Sequence, residues 1–446
     1  MRFSLVAGGQ VGYSAWLALT RWTPLRDRDP RPVPGLRTPR PRLAYVGPSP
    51  HPRAGGAPGV AGLLVLELLR RGYDVDCFVA ASREDDDPRG LGERPGLTYV
   101  IGESSFAFGK WYSRQRLSKM VSSQAFAAAN RRRLARRLAA MHRASPYAFV
   151  YQFSTFESFG VPRIADLPVL IHPSVHAAGE RRWVKREGRR DFSDDGSLRR
   201  ATVLAWLALR AARQARDARR ATGILALSHV FADEIIADYG VDPARVRIVP
   251  NCIDVDAMEP APPSSRNLLV VGRLVVRKGL EDIVALSHRL GEIKGPLQMR
   301  IVGSPSLWSD YSRLIRGVDA SRATLLGPKS RAEVFEEVSG SLALLQLSRY
   351  EPFGLTVAEA LGLGVPVIVT PEVGAAEAVA DDVKIVARPG DIDALVEAVG
   401  DLAALRDDER LLLSHRCRRE AERLFSPVVV GDALERAIAE LITPLA

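Results

Sequence analysis

Short apolar runs alternate with helix-like periods along most of the chain, and this alternation constrains the fold more than any other feature. Such alternation is typical of a parallel sheet with helices on both faces. The predicted strands cover residues 43–46, 75–79, 97–101, 149–153, 169–171, 223–227 and 246–249, then 268–271, 298–302, 324–326, 342–347, 367–369 and 383–386. The fold class is therefore α/β, and we expect ligands beyond the carboxyl ends of the strands.

A proline-rich stretch at residues 259–265 divides the alternation into two series. The chain has 446 residues, more than one typical hydrophobic core needs. We therefore predict two doubly wound, Rossmann-like domains that face each other across a cleft, over residues 42–255 and 256–426. Residues 1–41, where prolines are mixed with arginines, are predicted to be an extension, and a last helix within 427–446 is predicted to cross back to the first domain.

The positive charge is concentrated in the first half of the chain. Residues 1–250 hold 40 Lys and Arg against 23 Asp and Glu, whereas the remainder holds 22 against 29. Basic stretches at 131–137, 181–186 and 199–220 mix arginine with leucine, alanine and tryptophan. Basic amphipathic helices bind anionic headgroups at about 1 kcal/mol per Lys or Arg, although such faces are also often simply solvated. An anionic membrane surface is thus one predicted partner, and no motif predicts nucleic-acid binding.

Three cysteines, Cys77, Cys252 and Cys417, are far apart and form no Cys-x-x-Cys pair. This pattern predicts neither a disulfide framework nor a zinc cluster and favours a reducing compartment. No apolar run approaches the roughly 18 residues of a transmembrane helix, and the amino-terminal residues lack a continuous apolar centre. We predict a cytoplasmic protein, with peripheral attachment at the inner face of the membrane as the alternative.

The segment 349–369, Arg-Tyr-Glu-Pro-Phe-Gly-Leu-Thr-Val-Ala-Glu-Ala-Leu-Gly-Leu-Gly-Val-Pro-Val-Ile-Val, joins a loop, a helix and a strand. Pro352 disfavours helix at Glu351, so Glu351 lies in the loop while Glu359 lies about one turn into the helix. Backbone N–H groups near Gly354 and Leu355, at a positive helix end, suit a diphosphate. Carboxylates suit hydroxyl groups. The segment therefore predicts a nucleotide-sugar site.

Another segment, which is cationic, follows the strand 268–271. Gly272, Arg273 and Lys278 come directly after this strand, where a guanidinium and an ammonium group can neutralise a diphosphate. The alternative is a basic loop on the surface. If the diphosphate is a leaving group, cations at this place stabilise the charge that grows in the transition state.

These motifs together resemble a known family. The Glu-x7-Glu spacing from Glu351 to Glu359, followed by Gly-x-Pro-Val-Ile, is similar to the donor signature of the retaining glycosyltransferases of family 4, which have the GT-B fold. The resemblance implies that Glu359 binds the ribose, Glu351 the donor sugar, and Arg273 and Lys278 the diphosphate. It also implies a sugar and phosphate loop at Phe353 and Gly374, with Glu377 as a less specific match. It implies neither a metal nor another cofactor.

Paired glycines follow the first predicted strand. Gly55 and Gly56 permit close approach of the backbone to a phosphate or an acceptor, and they match paired glycines of the family near donor and acceptor. The alternative is a flexible loop. The order Gly-x-Gly-x-x-Gly is absent here, which disfavours an NAD-dependent oxidoreductase.

Two histidines follow the strand 169–171. The family commonly places a histidine there beside the transferred sugar, and both His172 and His176 are candidates, with His176 preferred because it lies further beyond the strand end. Each could instead be a loop histidine whose ring is satisfied by the backbone.

The resemblance implies a retaining glycosyltransferase that moves a hexosyl group from a nucleotide-diphosphate sugar, with UDP or GDP as the favoured nucleotide, to a hydroxyl acceptor. The basic first half favours an anionic acceptor, such as a lipid-linked or cell-envelope glycan. The alternatives are a sugar-nucleotide epimerase or hydrolase that uses the same donor site, and a noncatalytic nucleotide-sugar-binding protein.

Overall fold

A computed structural model describes residues 41–81, 89–103, 132–156, 167–174, 176–187, 197–261, 264–304 and 311–442. The predicted extension, apart from residue 41, and residue 131 of the first basic stretch lie outside these ranges.

Seven parallel strands form the first sheet, in the order β3-β2-β1-β4-β5-β6-β7. Tyr45 on β1 pairs with Cys77 on one side and with Tyr151 on the other. The order reverses between β1 and β4, and ligands of doubly wound sheets bind at this point. The strands are β1 (Arg42–Val46), β2 (Asp74–Ala81), β3 (Leu97–Glu103), β4 (Phe149–Ser154), β5 (Val169–Pro173), β6 (Gly223–Ala226) and β7 (Val246–Ile248).

Six parallel strands form the second sheet, in the order β10-β9-β8-β11-β12-β13. Here the order reverses between β8 and β11, so this sheet has the same winding as the first. The strands are β8 (Asn267–Val271), β9 (Gln298–Val302), β10 (Ala323–Gly327), β11 (Ala343–Gln346), β12 (Val367–Val369) and β13 (Lys384–Val386). The predicted class, α/β with two doubly wound domains, is confirmed. The exact domain limits remain a prediction.

Helices cover both faces of the two sheets. They are α1 (Gly56–Arg70), α2 (132–144), α3 (Ala177–Glu187), α4 (Ser197–Arg220), α5 (His229–Tyr239), α6 (Leu280–Arg289), α7 (Ser312–Ile315), α8 (Arg331–Val338), α9 (Leu355–Gly362), α10 (Ile392–Ala404), α11 (Asp407–Phe425) and α12 (Pro427–Ile442). Central strands such as β11 and β12 are buried throughout, as their uninterrupted apolar runs require.

Helix α11 was not recognised in the sequence because only a thin apolar stripe interrupts its charged residues. Leu413, Cys417, Ala421 and Phe425, four residues apart, are buried along one face. We call each sheet with the helices that pack on it a unit. Helix α12 follows directly and packs against α1 of the first unit, where Arg71 forms ion pairs with Asp432 and Glu435. The chain thus returns to its starting sheet.

Among the described residues, no helix combines the length and apolar character that crossing a bilayer requires. All three cysteines are buried and free.

Candidate functional site

The loop before α9 brings a free helix end to the cleft between the two sheets. Gly354 adopts the left-handed region, with φ 93°, directly before the first residue of α9, Leu355. A Cβ atom at Gly354 would lie 3.1 Å from Val373 and 3.3 Å from Glu351, so glycine suits both the conformation and the space. The first N–H groups of α9 therefore lie where the sequence predicted a phosphate site.

Glu351 and Lys278 form an ion pair at this loop. Lys278 follows β8, whereas Glu351 follows β11, so the two side chains come from neighbouring strands of one sheet. Gln346 Nε2 lies 3.3 Å from Glu351 Oε2, and its Oε1 accepts a hydrogen bond from Thr356 of α9 at 3.1 Å. The carboxylate that the sequence assigned to the donor sugar is thus held by Lys278 and by Gln346, which is itself held by Thr356.

Lys278 lies among other cations. Burial, together with Arg277 and Arg273, lowers the pKa of Lys278 well below its ordinary value. A cavity of about 10 Å³ is lined by Gly272, Arg273, Lys278 and Gln346. A phosphate group at this place would add the negative charge that these cations favour, but it needs more room than this cavity offers.

Glu359 is buried in α9 and pairs with a residue that the sequence did not predict, Arg331. Burial raises the pKa of Glu359 to about 7, against the opposing effect of Arg331, whose Nη2 lies 3.3 Å from Glu359 Oε1. Arg331 also donates through Nη1 to the carbonyl oxygens of Ala54 at 2.9 Å and Pro52 at 3.3 Å. One guanidinium thus connects Glu359 to the glycine loop of the first unit.

Arg331 is the first residue of α8, directly after the capping residue Ser330. Its guanidinium lies 5.0 Å from the centre of the Phe335 ring, one turn further along. Its role depends on residues nearly 280 positions away, and therefore no local spacing in the sequence could have revealed it.

Gly55 and Gly56 lie at the start of α1, opposite α8. Gly56 has φ 64°, a conformation that favours glycine, and a Cβ atom at Gly55 would lie 3.9 Å from Arg331. The structure thus brings the paired glycines to the cleft, as predicted, beside the Arg331 guanidinium.

The residues of the predicted sugar and phosphate loop are tightly packed. The Phe353 ring packs edge-on against Phe425 of α11 at 5.6 Å, so its side chain faces the core. A Cβ atom at Gly374 would lie 2.3 Å from the Pro352 carbonyl oxygen and 2.4 Å from Ser228 Oγ. Gly374 therefore lies where the two units make contact, and close packing there requires glycine.

Glu377 holds the end of a helix in the other unit. Its carboxylate accepts hydrogen bonds from the backbone N–H groups of His229 at 2.7 Å and Val230 at 2.6 Å, at the start of α5. A carboxylate at a helix N-terminus is stabilised by the free N–H groups and the helix dipole. Glu377 thus joins the units instead of facing the donor loop.

His172 is fully buried within the first unit. Its Nδ1 lies 2.7 Å from the Tyr151 hydroxyl and its Nε2 lies 2.8 Å from the Val249 carbonyl oxygen. Burial lowers the pKa of His172 to about 4, against the effect of the Val249 hydrogen bond. Both ring nitrogens are engaged, so in this conformation His172 offers none to a sugar.

His176 is also fully buried, but its partners come from both units. Its Nε2 lies 2.7 Å from Asp238 of α5, and its Nδ1 lies 2.7 Å from the hydroxyl of Tyr350, directly before Glu351. His176 thus lies beside the loop that carries Glu351, while its predicted place beside the transferred sugar stays a prediction. However, the ring contacts Tyr350 and leaves no nitrogen free in this conformation.

His176, Glu234 and Asp238 form a cluster with the residue types of a metal site. The Arg182 guanidinium already forms ion pairs with both carboxylates, at 2.6 Å to Glu234 and in closer contact with Asp238. Arg182 thus supplies positive charge to this cluster, and we assign it no metal.

Two family models match the chain. The model for "Glycosyl transferase 4-like domain" covers residues 55–252, and the model for "Glycosyl transferases group 1" covers residues 256–423. The two matches together cover every strand of the two sheets except β1, and the second contains Lys278, Glu351 and Glu359.

Curated relatives are distant. The chain is 24% identical over 366 residues to a D-inositol 3-phosphate glycosyltransferase of Mycobacteroides abscessus, covering 76% of this chain and 75% of that protein. It is 28% identical over 216 residues to a glycogen synthase of Mycobacterium tuberculosis, covering 47% of this chain and 51% of that protein. The chain thus spans about half the length of the glycogen synthase.

Among solved structures, HepE of Anabaena, in complex with UDP and glucose, has a TM-score of 0.60 at 16% identity, covering 90% of this chain and 100% of that chain. This likeness concerns the fold. Together with the two family models, it establishes that the chain belongs to the group 1, family 4-type glycosyltransferases and has the GT-B fold.

Proposed function

We propose that this protein transfers a hexosyl group from a nucleotide-diphosphate sugar to a hydroxyl acceptor with retention of configuration. One observation carries the proposal: Lys278 pairs with Glu351 in the loop before α9, at the carboxyl ends of neighbouring strands, and Glu359 lies about one turn into the same helix. This is the place where a doubly wound sheet binds nucleotides.

Each charged group then has a complementary part of the donor. The free N–H groups at Gly354 and Leu355, with Arg273 and Lys278, hold the diphosphate, and Glu359 accepts hydrogen bonds from ribose hydroxyls. Binding of the diphosphate at Lys278 releases the Glu351 carboxylate, which is then free to accept hydroxyl groups of the sugar.

In the proposed reaction, the bond between the anomeric carbon and the diphosphate breaks while the acceptor oxygen approaches from the same face. The diphosphate oxygen accepts the acceptor's proton, and Lys278 and Arg273 stabilise the negative charge that develops on the leaving group. This route needs no enzymic nucleophile.

UDP and GDP are the proposed nucleotides. HepE, which shares the fold, was crystallised with UDP and glucose, which makes UDP the first nucleotide to test. Glu359 addresses ribose, which both nucleotides contain, so its position does not discriminate between them.

For the acceptor, we propose an anionic molecule, with a lipid-linked glycan as the leading candidate. A cavity of about 430 Å³ lies between α3, α4 and α5, and its wall combines Arg181, Arg182 and Lys185 with small alanine side chains and, from α5, Asp238 and Tyr239. Basic groups beside apolar surface suit an anion attached to an aliphatic chain, at a cytoplasmic membrane surface.

The donor proposal is tested by calorimetric titration of the purified protein with UDP, GDP, UDP-glucose and GDP-mannose. We expect one nucleotide class to bind, and Lys278→Ala to abolish that binding while thermal unfolding stays cooperative. Binding that survives in Lys278→Ala would refute the assignment of the diphosphate site.

The reaction is tested separately by following the donor and the product. Consumption of the nucleotide sugar together with a glycosylated acceptor supports transfer. Consumption without an acceptor product would favour an epimerase or a hydrolase, and binding without turnover would favour a noncatalytic role. Cosedimentation with anionic and neutral vesicles at low and high salt tests the membrane part, because electrostatic binding weakens with salt.

A further inference from the structure

His176 connects the two sheet units through hydrogen bonds on both sides of its ring. The residue lies directly before α3 in the first unit, Asp238 lies on α5 of the same unit, and Tyr350 belongs to the loop after β11 in the second. His176 and Tyr350 are 0% and 3% exposed. Solvent therefore does not compete for the bond between His176 and Tyr350.

The partners determine which atom donates each hydrogen bond. Burial acts to raise the pKa of Asp238, but hydrogen bonds from His176 and Arg182 outweigh this effect and lower the pKa. An ionised carboxylate only accepts, so His176 Nε2 carries the proton. In the neutral ring, Nδ1 then accepts, and the Tyr350 hydroxyl donates to it. Burial raises the pKa of Tyr350 well above its ordinary value, which keeps this hydroxyl protonated.

Tyr350 is also held in the second unit. Arg277 Nη1 donates to the Tyr350 carbonyl oxygen at 3.3 Å, and the Arg277 guanidinium lies 5.9 Å from the ring centre. The preceding residue, Arg349, pairs with Glu281 at 2.8 Å and Asp282 at 2.9 Å. These contacts hold the backbone of the loop that also carries the next residue, Glu351.

The approach of α3 to Tyr350 leaves no spare room. A Cβ atom at Gly179 would lie 2.6 Å from His176 Cε1 and 2.6 Å from the Tyr350 hydroxyl oxygen. Glycine at this position permits the contact, which is consistent with a built interface between the units.

We propose that His176 is a positioning residue that acts through Tyr350 on Glu351 and thereby couples the first unit to the donor-sugar contact without touching the donor. This role differs from that of a histidine beside the transferred sugar. The inference rests on the proposed function in one respect, because it takes Glu351 as the sugar-binding carboxylate.

The test compares Tyr350→Phe, His176→Ala and the double variant with wild type. Tyr147→Phe is the matched control, because the Tyr147 hydroxyl is also buried, donates to Asp76 at 2.6 Å and lies wholly within the first unit. Calorimetry measures binding of UDP, GDP, UDP-glucose and GDP-mannose.

We expect Tyr350→Phe to weaken binding of the nucleotide sugar about 3- to 10-fold, as loss of one buried hydrogen bond predicts, with less than about a twofold change for the nucleotide alone. The double variant should bind no more weakly than His176→Ala, since the two residues act as one unit. Tyr147→Phe should bind like wild type. If His176→Ala does not fold, Tyr350→Phe carries the test.

Unchanged sugar-nucleotide binding in Tyr350→Phe, or additive effects in the double variant, would overturn the proposal. Weak binding in His176→Ala beside intact binding in Tyr350→Phe would instead show that His176 touches the sugar.

A second measurement does not depend on any donor. Amide hydrogen exchange over residues 350–354 should accelerate in both single variants but not in Tyr147→Phe, because the loop loses its connection to the first unit. Unchanged exchange there would overturn the proposal even if the protein binds none of the four probes, whereas absent binding alone counts only against the donor site.

Discussion

The two sides of the cleft contribute different chemistry. The second unit supplies charged side chains, Lys278, Glu351 and Glu359, from segments that are continuous in the sequence. The first unit supplies backbone carbonyl groups at Pro52 and Ala54, and the buried ring of His176. Charged side chains leave a motif in a sequence, whereas a carbonyl group is present in every residue. The charged side of the cleft therefore left more signal in the sequence than the facing side, where only glycines and histidines were singled out.

The two acidic residues of α9 and its loop illustrate the same difference. Glu351 pairs with Lys278 inside the second unit, whereas the partner of Glu359, Arg331, also bonds to the first unit. Disrupting the first pair should affect the chemistry, and disrupting the second should affect how the two units cooperate.

The largest expected effect is that of Lys278→Ala. The variant removes the cation beside the proposed leaving group and leaves the half-buried Glu351 without its ion-pair partner, so kcat/KM should fall about 100-fold or more. Steady-state transfer assays measure this effect, and thermal unfolding checks the fold. Lys329→Ala is the control, since Lys329 pairs with Glu337 at 3.3 Å on α8, and it should retain activity. Wild-type turnover in Lys278→Ala would contradict the view that the second unit supplies the charged groups on which the reaction depends.

Next in size is Gly374→Ala, at the contact between the units. The added methyl group would collide with the Pro352 carbonyl oxygen and Ser228 Oγ, so we expect the free energy of unfolding to fall by about 2 kcal/mol. Gly400→Ala is the control. It lies within α10 with no heavy atom within 4 Å of the new Cβ, and it should stabilise the helix by about 0.5–1 kcal/mol. Denaturant titration compares the two, and equal stabilities would show that the contact tolerates a side chain.

A smaller effect is expected from Arg331→Ala, which separates Glu359 from the glycine loop. Without its guanidinium, the Glu359 carboxyl is more readily protonated, and we expect KM for the donor to rise about tenfold with little change in kcat. The KM of Arg331→Lys should lie between those of wild type and Arg331→Ala, because one ammonium group cannot reproduce the forked hydrogen bonds of a guanidinium. Arg300→Ala, which breaks a bidentate pair with Glu337 inside the second unit, is the control and should leave KM unchanged. A fall in kcat alone would contradict a role in donor binding.

The smallest expected effect is a pH dependence from Glu359. Because burial raises the pKa of this carboxyl to about 7, it is largely protonated at pH 6 and ionised at pH 8. Ribose hydroxyls favour the ionised form as acceptor, so nucleotide affinity should rise about fivefold between these pH values. Calorimetry at pH 6, 7 and 8 measures this change, which should disappear in Glu359→Gln.

Raising the pH should lower the stability of the folded protein through the same Glu359 carboxyl group, although it should raise nucleotide affinity. The folded protein binds the Glu359 proton more tightly than the unfolded chain, whose ordinary pKa is near 4.5. Its contribution to the free energy of unfolding is therefore present below about pH 4.5 and is lost as pH rises through 7. A pH-independent difference between wild type and Glu359→Gln would contradict the raised pKa.

Much of the fold was predictable, because a buried parallel strand has a short apolar run in its sequence. The thirteen predicted strands correspond to the thirteen strands of the two sheets. Helix α11 escaped prediction because its few apolar residues lie among many charged ones, and its buried face includes Arg418 and Glu420. The positions of Lys278, Glu351, Glu359, Gly55 and Gly56 at the cleft were also foreseen, whereas their roles in binding remain predictions.

The sequence by itself determined the alternation of strands and helices, the family and the charged groups of the donor loop, since these depend on residues close together in the chain. The tertiary structure alone decided that Arg331 meets Ala54, that Glu377 caps α5 and that His176 bonds to Tyr350. These contacts join residues 148 to 277 positions apart. Only the folding of both sheets around a shared cleft brings such distant groups within hydrogen-bonding distance.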